Sequence, residues 1–281
     1  MSAVAAAPPV RPARVDSPAI SGRVTQARVI RSEWTKLRSL RSTWWSLTVA
    51  VLLTVGFGAL ASWAEGRDYA TMSPGERSVF NPASISLGGF GFAALAFGTL
   101  AVLMISGEYG TGMIRSSLTA VPRRLPVLWG KAVVLAGTVF TAALVASFGA
   151  FFLGQWLLDR NGLGVTIGSD GALASVIGAA VAAMVSALIG LALGALLRSS
   201  AAGISVFAAV FFVIPPLLQL LPASWTANFE QYLPASAATA MRGGGFGVAD
   251  PLGWWPALAV LAGYAVVLLA GAAWALRQRD A

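Results

Sequence analysis

Residues 172–197 read ALASVIGAAVAAMVSALIGLALGALL, an unbroken apolar run without Asp, Glu, Lys or Arg. One charged side chain at the centre of a membrane helix costs about 2.5–3.5 kcal/mol, so its absence over this length marks a helix embedded in lipid. At about 1.5 Å per residue the run outlasts a hydrocarbon core of roughly 30 Å, which predicts that it tilts or emerges at one end. Within it Ala174, Gly178, Ala182, Ser186, Gly190 and Gly194 recur every four residues. Spaced this way, Gly178, Ala182, Ser186, Gly190 and Gly194 form a small-residue stripe that lets another helix approach closely. The plainer reading is an alanine-rich composition.

Outward from this run, five more stretches satisfy the same length and charge criteria: residues 44–63, 85–105, 132–153, 201–221 and 254–276. The chain is 57% hydrophobic and 11% charged, whereas an ordinary soluble domain carries about 25% charged residues. Its expected fold is therefore an all-α integral membrane protein with six transmembrane helices, forming one domain over residues 44–281. Residues 1–22, rich in Ala and Pro with Arg11 and Arg14, read as a disordered cytoplasmic tail without a secretory core.

Orientation follows from the basic residues, because loops retained in the cytoplasm hold Lys and Arg. Of the 19 Lys and Arg residues, all but Arg67, Arg77, Arg160 and Arg242 flank the spans on one side. Both termini are thus expected in the cytoplasm, and the formal charge of +8 belongs to span flanks rather than to a nucleic-acid surface. The short turn Arg198, Ser199, Ser200 makes the fourth and fifth spans an antiparallel hairpin. Pro215 and Pro216 should kink the fifth span near its outer end. Residues 222–253 carry Trp225, Phe229, Tyr232 and Leu233, too apolar for a free loop, and are expected as an external re-entrant or capping segment of short helices between spans five and six. Gly243, Gly244 and Gly245 mark a flexible turn before the last span.

Two segments offer function. Residues 23–43 form a basic amphipathic helix: Ala27, Ile30, Trp34 and Leu37 follow helical spacing, while Arg28, Arg31, Ser32, Lys36 and Arg38 fill other positions. Such a helix lies in the headgroup layer with its cations on anionic lipid, as an anchor or a docking element. Between spans two and three, residues 107–124 read GEYGTGMIRSSLTAVPRR. Gly107, Gly110 and Gly112 permit a tight turn, and Met113, Ile114, Leu118 and Val121 give a short apolar side that Pro122 ends. This predicts a short cytoplasmic helix shaped for a groove on a partner, or else an ordinary loop whose cations fix topology.

Catalysis is poorly served. With 0 His and 0 Cys, neither a Ser-His triad nor a thiolate or histidine metal centre can be built. No phosphate-binding G-x-x-x-x-G-K-[ST] motif occurs: at the only Gly-Lys pair, Gly130 and Lys131, the earlier glycine is missing and Ala132 follows.

Taken together, the EWTKLRSLRSTWW entry at residues 33–45, the segment at 107–124, six spans and YLPAS at residues 232–236 resemble the ABC-2 family of ATP-binding-cassette transporter permeases. The similarity runs from about residue 33 to the C-terminus, and residues 107–124 are its most specific part. The resemblance implies a non-catalytic permease subunit of the bacterial plasma membrane, exporting a hydrophobic or amphipathic substrate. A separate ABC ATPase subunit would bind ATP and Mg, the chain itself holding no cofactor, and a second permease copy would complete a homodimer. It assigns Glu108, Tyr109, Gly110, Thr111, Arg115, Pro122 and Arg123 to a coupling segment, with Glu33, Trp34, Lys36 and Leu37 on the interfacial helix beside it. The residues also leave open an ion-coupled secondary transporter, which usually has ionisable groups near the midplane, and a non-catalytic membrane scaffold.

Overall fold

A computed structural model describes residues 25–113, 125–226, 228–245, 248 and 250–278. Among these residues the chain is all-helical, and six helices are long and apolar enough to cross a membrane. A first helix, α1 (Gln26–Ser39), is capped by Thr25, whose side chain accepts from the Arg28 amide, and it ends at Leu40. The first span α2 (Arg41–Asp68) follows. Two short helices, α3 (Pro74–Ser78) and α4 (Pro82–Ser86), lead to α5 (Phe90–Gly110). The third and fourth spans are α6 (Leu125–Asp159) and α7 (Ala172–Leu197).

The predicted second span, 85–105, is corrected at both ends. Its first residues belong to α4 and to a turn at Leu87–Gly89, and the helix runs on to Gly110. At the break Gly89 lies so close to the Thr54 carbonyl of α2 that there is no room for a Cβ. The third span likewise begins seven residues earlier than charge alone suggested, which brings Lys131 inside the helix. Gly107 and Gly110 remain helical, and the turn falls at Gly112, whose φ of 72° suits glycine.

The fourth span, α7, is the axis of the bundle. It packs against α5, α6 and the last helix, and it contributes to both hydrophobic cores. Its small residues make this possible. Gly190 meets the Gly98 carbonyl and Ala101 of α5, and Gly194 meets the Val102 carbonyl and Ile105. Ala182 and Ser186 are buried. Gly178 lies against the Met241 carbonyl and the Trp254 indole. The stripe is thus occupied within the chain.

Arg198 closes α7 in a left-handed conformation (φ 53°), and the chain reverses into the fifth span. This span comprises α8 (Ser200–Ala208), a π-helical turn (Ala209–Val213) and α9 (Ile214–Leu218). Pro215 and Pro216 lack the amide hydrogens that an α-ladder would direct to carbonyls four residues back, and the widened turn lies directly upstream.

After α9 come α10 (Ala223–Thr226), a 3-10 turn (Glu230–Tyr232) and α11 (Pro234–Ala240). Ala237 and Met241 are fully buried with Phe207 and Leu261, beside Phe211, so α11 caps this end of the bundle. The glycine run terminates α11. Gly243 takes φ 75°, the Gly244 amide donates to the Thr239 carbonyl, and Asn81 donates to the Gly243 carbonyl. The last span is α12 (Trp254–Gln278).

A candidate coupling site at one end of the bundle

At the end opposite α11, three helix termini converge: α1, the last turn of α5 and the first turns of α6. Gly130 creates the room, because a Cβ there would lie 2.9 Å from Val29 and 3.6 Å from Glu33. The Gln26 side chain also donates to the Pro126 carbonyl at 3.1 Å, fixing the start of α1 against the start of α6.

In the space between them lies a closed ring of four charges. Lys131 of α6 donates to Glu33 of α1 and to Glu108 of α5, both at 2.7 Å. Lys36, one turn after Glu33, donates to Glu33 at 2.8 Å and to Glu108 at 3.0 Å. Signs therefore alternate around the ring, and Glu108 Oε1 accepts from both ammonium groups. Lys131, Glu33 and Glu108 are only 1%, 3% and 8% exposed, where single charges could not survive without partners. Partial burial acts against the Lys36 charge, but its two carboxylate partners outweigh this and raise its pKa above the usual 10.5.

Beside the ring, the Arg198 guanidinium lies 5.2 Å from the centre of the Tyr109 ring, joining the α7–α8 turn to α5. Ser106 and Ser200 share a hydrogen bond of 2.8 Å across the same junction. Of the sequence-selected residues, Glu33, Lys36 and Glu108 are brought together, and Tyr109 stands next to them. Leu37 is buried under α1, whereas Trp34 is 42% exposed. Gly110 and Thr111 are exposed at the end of α5, with Thr111 bonded to the Gly107 carbonyl of its own helix. Arg115, Pro122 and Arg123, and with them the expected short helix between the second and third spans, lie outside the described residues.

Lys131 escaped the sequence reading as a site residue because it was read only as a flank of the third span. The signal was present: apolar Leu125, Val127, Leu128 and Trp129 precede it, so the charge sits inside an apolar run. A lysine so placed requires a buried anion.

No curated protein matches the chain. Residues 29–216, from the first turn of α1 through the proline pair of the fifth span, match the family described as ABC-2 family transporter protein. Because this match covers well over half of the chain and includes every member of the charge ring, the chain, a multi-pass membrane protein, belongs to the ABC-2 transporter family.

Proposed function

We propose that the chain is the permease subunit of an ATP-driven exporter, and that the end bearing the charge ring faces the cytoplasm. The observation that carries this is the placement of Glu108 and Lys131. They stand at the stems on either side of residues 114–124 and are joined to each other and to α1. Nucleotide-dependent movement of a separate ATPase subunit, which would bind ATP and Mg, acts on residues 107–124 and is passed to the spans. In this orientation α1 lies in the inner headgroup layer, with Trp34, Trp44 and Trp45 toward lipid. The segment from α10 to α11 closes the outer end.

The long uncharged middles of the spans suit a hydrophobic or amphipathic substrate. The least buried long helices are α2, the fifth span and α12. In this proposal a second copy of the chain covers part of that surface.

Two measurements test the reading. With no native cysteine, a Ser116→Cys variant is labelled by a membrane-impermeant maleimide only after cells are permeabilised. Labelling in intact cells overturns the orientation. The chain purified with its genomic neighbours should carry an ATP-binding subunit with it. Its absence from the purified assembly, with ATP-independent flux remaining, overturns the ATP-driven reading.

A further inference from the structure

We infer that Lys131 is a positioning residue that makes α1, α5 and α6 move as one body when residues 114–124 are displaced. This rests on the reading of that end as the ATPase-facing one. Among the described residues, Lys131 and Glu108 are the ring members whose two bonds both leave their own helix, and Lys131 is the one through which α6 enters the ring, reaching Glu33 of α1 and Glu108 of α5. Lys36 bonds Glu33 of its own helix and Glu108 of α5.

The position of the ring decides what it does. Glu108 lies six residues before 114 and Lys131 seven residues after 124, so one ammonium closes the base of the intervening segment. A force on that segment cannot part α5 from α6 without separating Lys131 from Glu108 in a site almost free of water. The second bond, to Glu33, passes the same displacement to α1. Packing does not require this chemistry, because apolar side chains of similar volume commonly serve stability as well as a buried ion network does. The carboxylate of Glu108 is also misplaced for its own helix, since it sits in the last turn, where the helix dipole disfavours negative charge. Four charges kept at such a place specify geometry. The ring requires α1, α5 and α6 in one mutual arrangement.

The competing explanation is charge compensation alone, and a balanced double variant separates the two. Lys131→Met leaves an excess carboxylate in the site and is expected to unfold at a lower temperature. Lys131→Met with Glu33→Gln leaves Lys36 facing Glu108, so charge is balanced while α6 has lost its ion pairs to α1 and α5 and keeps the Gln26–Pro126 hydrogen bond and the packing of Gly130 on Val29. Spin labels at Thr35→Cys on α1 and Val145→Cys on α6, both exposed, report the arrangement in nanodiscs by pulsed electron resonance.

With Lys131 and Glu33 intact, the full chain should give one narrow distance distribution. In the complex with its ATPase subunit, a non-hydrolysable ATP analogue should shift that distribution. The balanced double variant should recover most of the lost unfolding temperature, yet show a broad distribution and lose the nucleotide-dependent shift. If it keeps the narrow distribution and the shift, the ring is charge compensation and the inference falls. If no ATPase subunit binds the intact chain, the permease reading fails instead. The distribution measured on the chain alone still decides whether Lys131 positions α1.

Discussion

Lys36 shows how one residue reports on the ring around it. Its pKa is raised above 10.5 in the folded protein, so its stabilising contribution is whole at neutral pH and is lost as pH rises through the folded value. Thermal unfolding of the purified protein should be insensitive to this group up to about pH 10 and fall more steeply above it. In Lys36→Met that component disappears, and the variant should be less stable at neutral pH by about 1 kcal/mol, because this side chain is partly screened by solvent. Gly98 poses the opposite problem, one of volume. A Cβ there would enter the ring of Phe207, which is fully buried and stacks on Phe211 with ring centres 4.6 Å apart. Gly98→Ala should therefore cost about 1–3 kcal/mol by overpacking. Adding Phe207→Leu should recover part of that loss in the same unfolding measurement.

At the scale of elements, the fifth span is the outlier. It changes from α to π and back within Ser200–Leu218, and its proline pair sits at the start of its last turn. Replacing both prolines by alanine restores two backbone donors. Each hydrogen bond so formed is worth about 0.5–1.5 kcal/mol, so amide exchange at Val213 and Ile214, the nearest residues that carry an amide hydrogen in both forms, should slow roughly two- to tenfold per bond. Unchanged exchange would show that packing against α11, rather than the prolines, sets the π-turn. The neighbouring hairpin is fixed more simply. With Arg198 turning left-handed and Ser199 capping α8 through its hydroxyl, the two helices have no room to separate. Gly203 packs against Val102 and the Gly194 backbone, which draws α5 into the same junction.

Across the whole molecule, the ten tryptophans define the level of the bilayer. Nine of them are exposed, Trp254 being the exception. They lie toward the ends of α2, α6 and α12 or on the helices α1 and α10. Such rings favour the headgroup boundary, where the indole can be wetted on one side and apolar on the other. Two of them also carry a guanidinium, Arg160 at 4.0 Å from the Trp156 centre and Arg67 at 5.9 Å from Trp63. Tryptophan fluorescence of the reconstituted protein should therefore be quenched more strongly by lipids brominated near the headgroup than by those brominated near the chain terminus. Stronger quenching by the terminal bromines would place these rings at the midplane and overturn the assignment of span ends.

What the sequence determined by itself was set by the solvent. An apolar run of membrane length has one stable backbone solution, so the six spanning helices, the hairpin at Arg198 and the family resemblance could be read from order and composition. The helix ends could not, because Glu108 and Lys131 look like flanking charges until their helices are seen to continue past them. Only the tertiary structure brought together Glu33, Lys36, Glu108 and Lys131, residues as far as 98 positions apart. A buried charge is tolerable only where an opposite one arrives from another element, and that element is brought there by contacts between helices, such as Gly130 against Val29 and α7 against α5, and not by any local pattern.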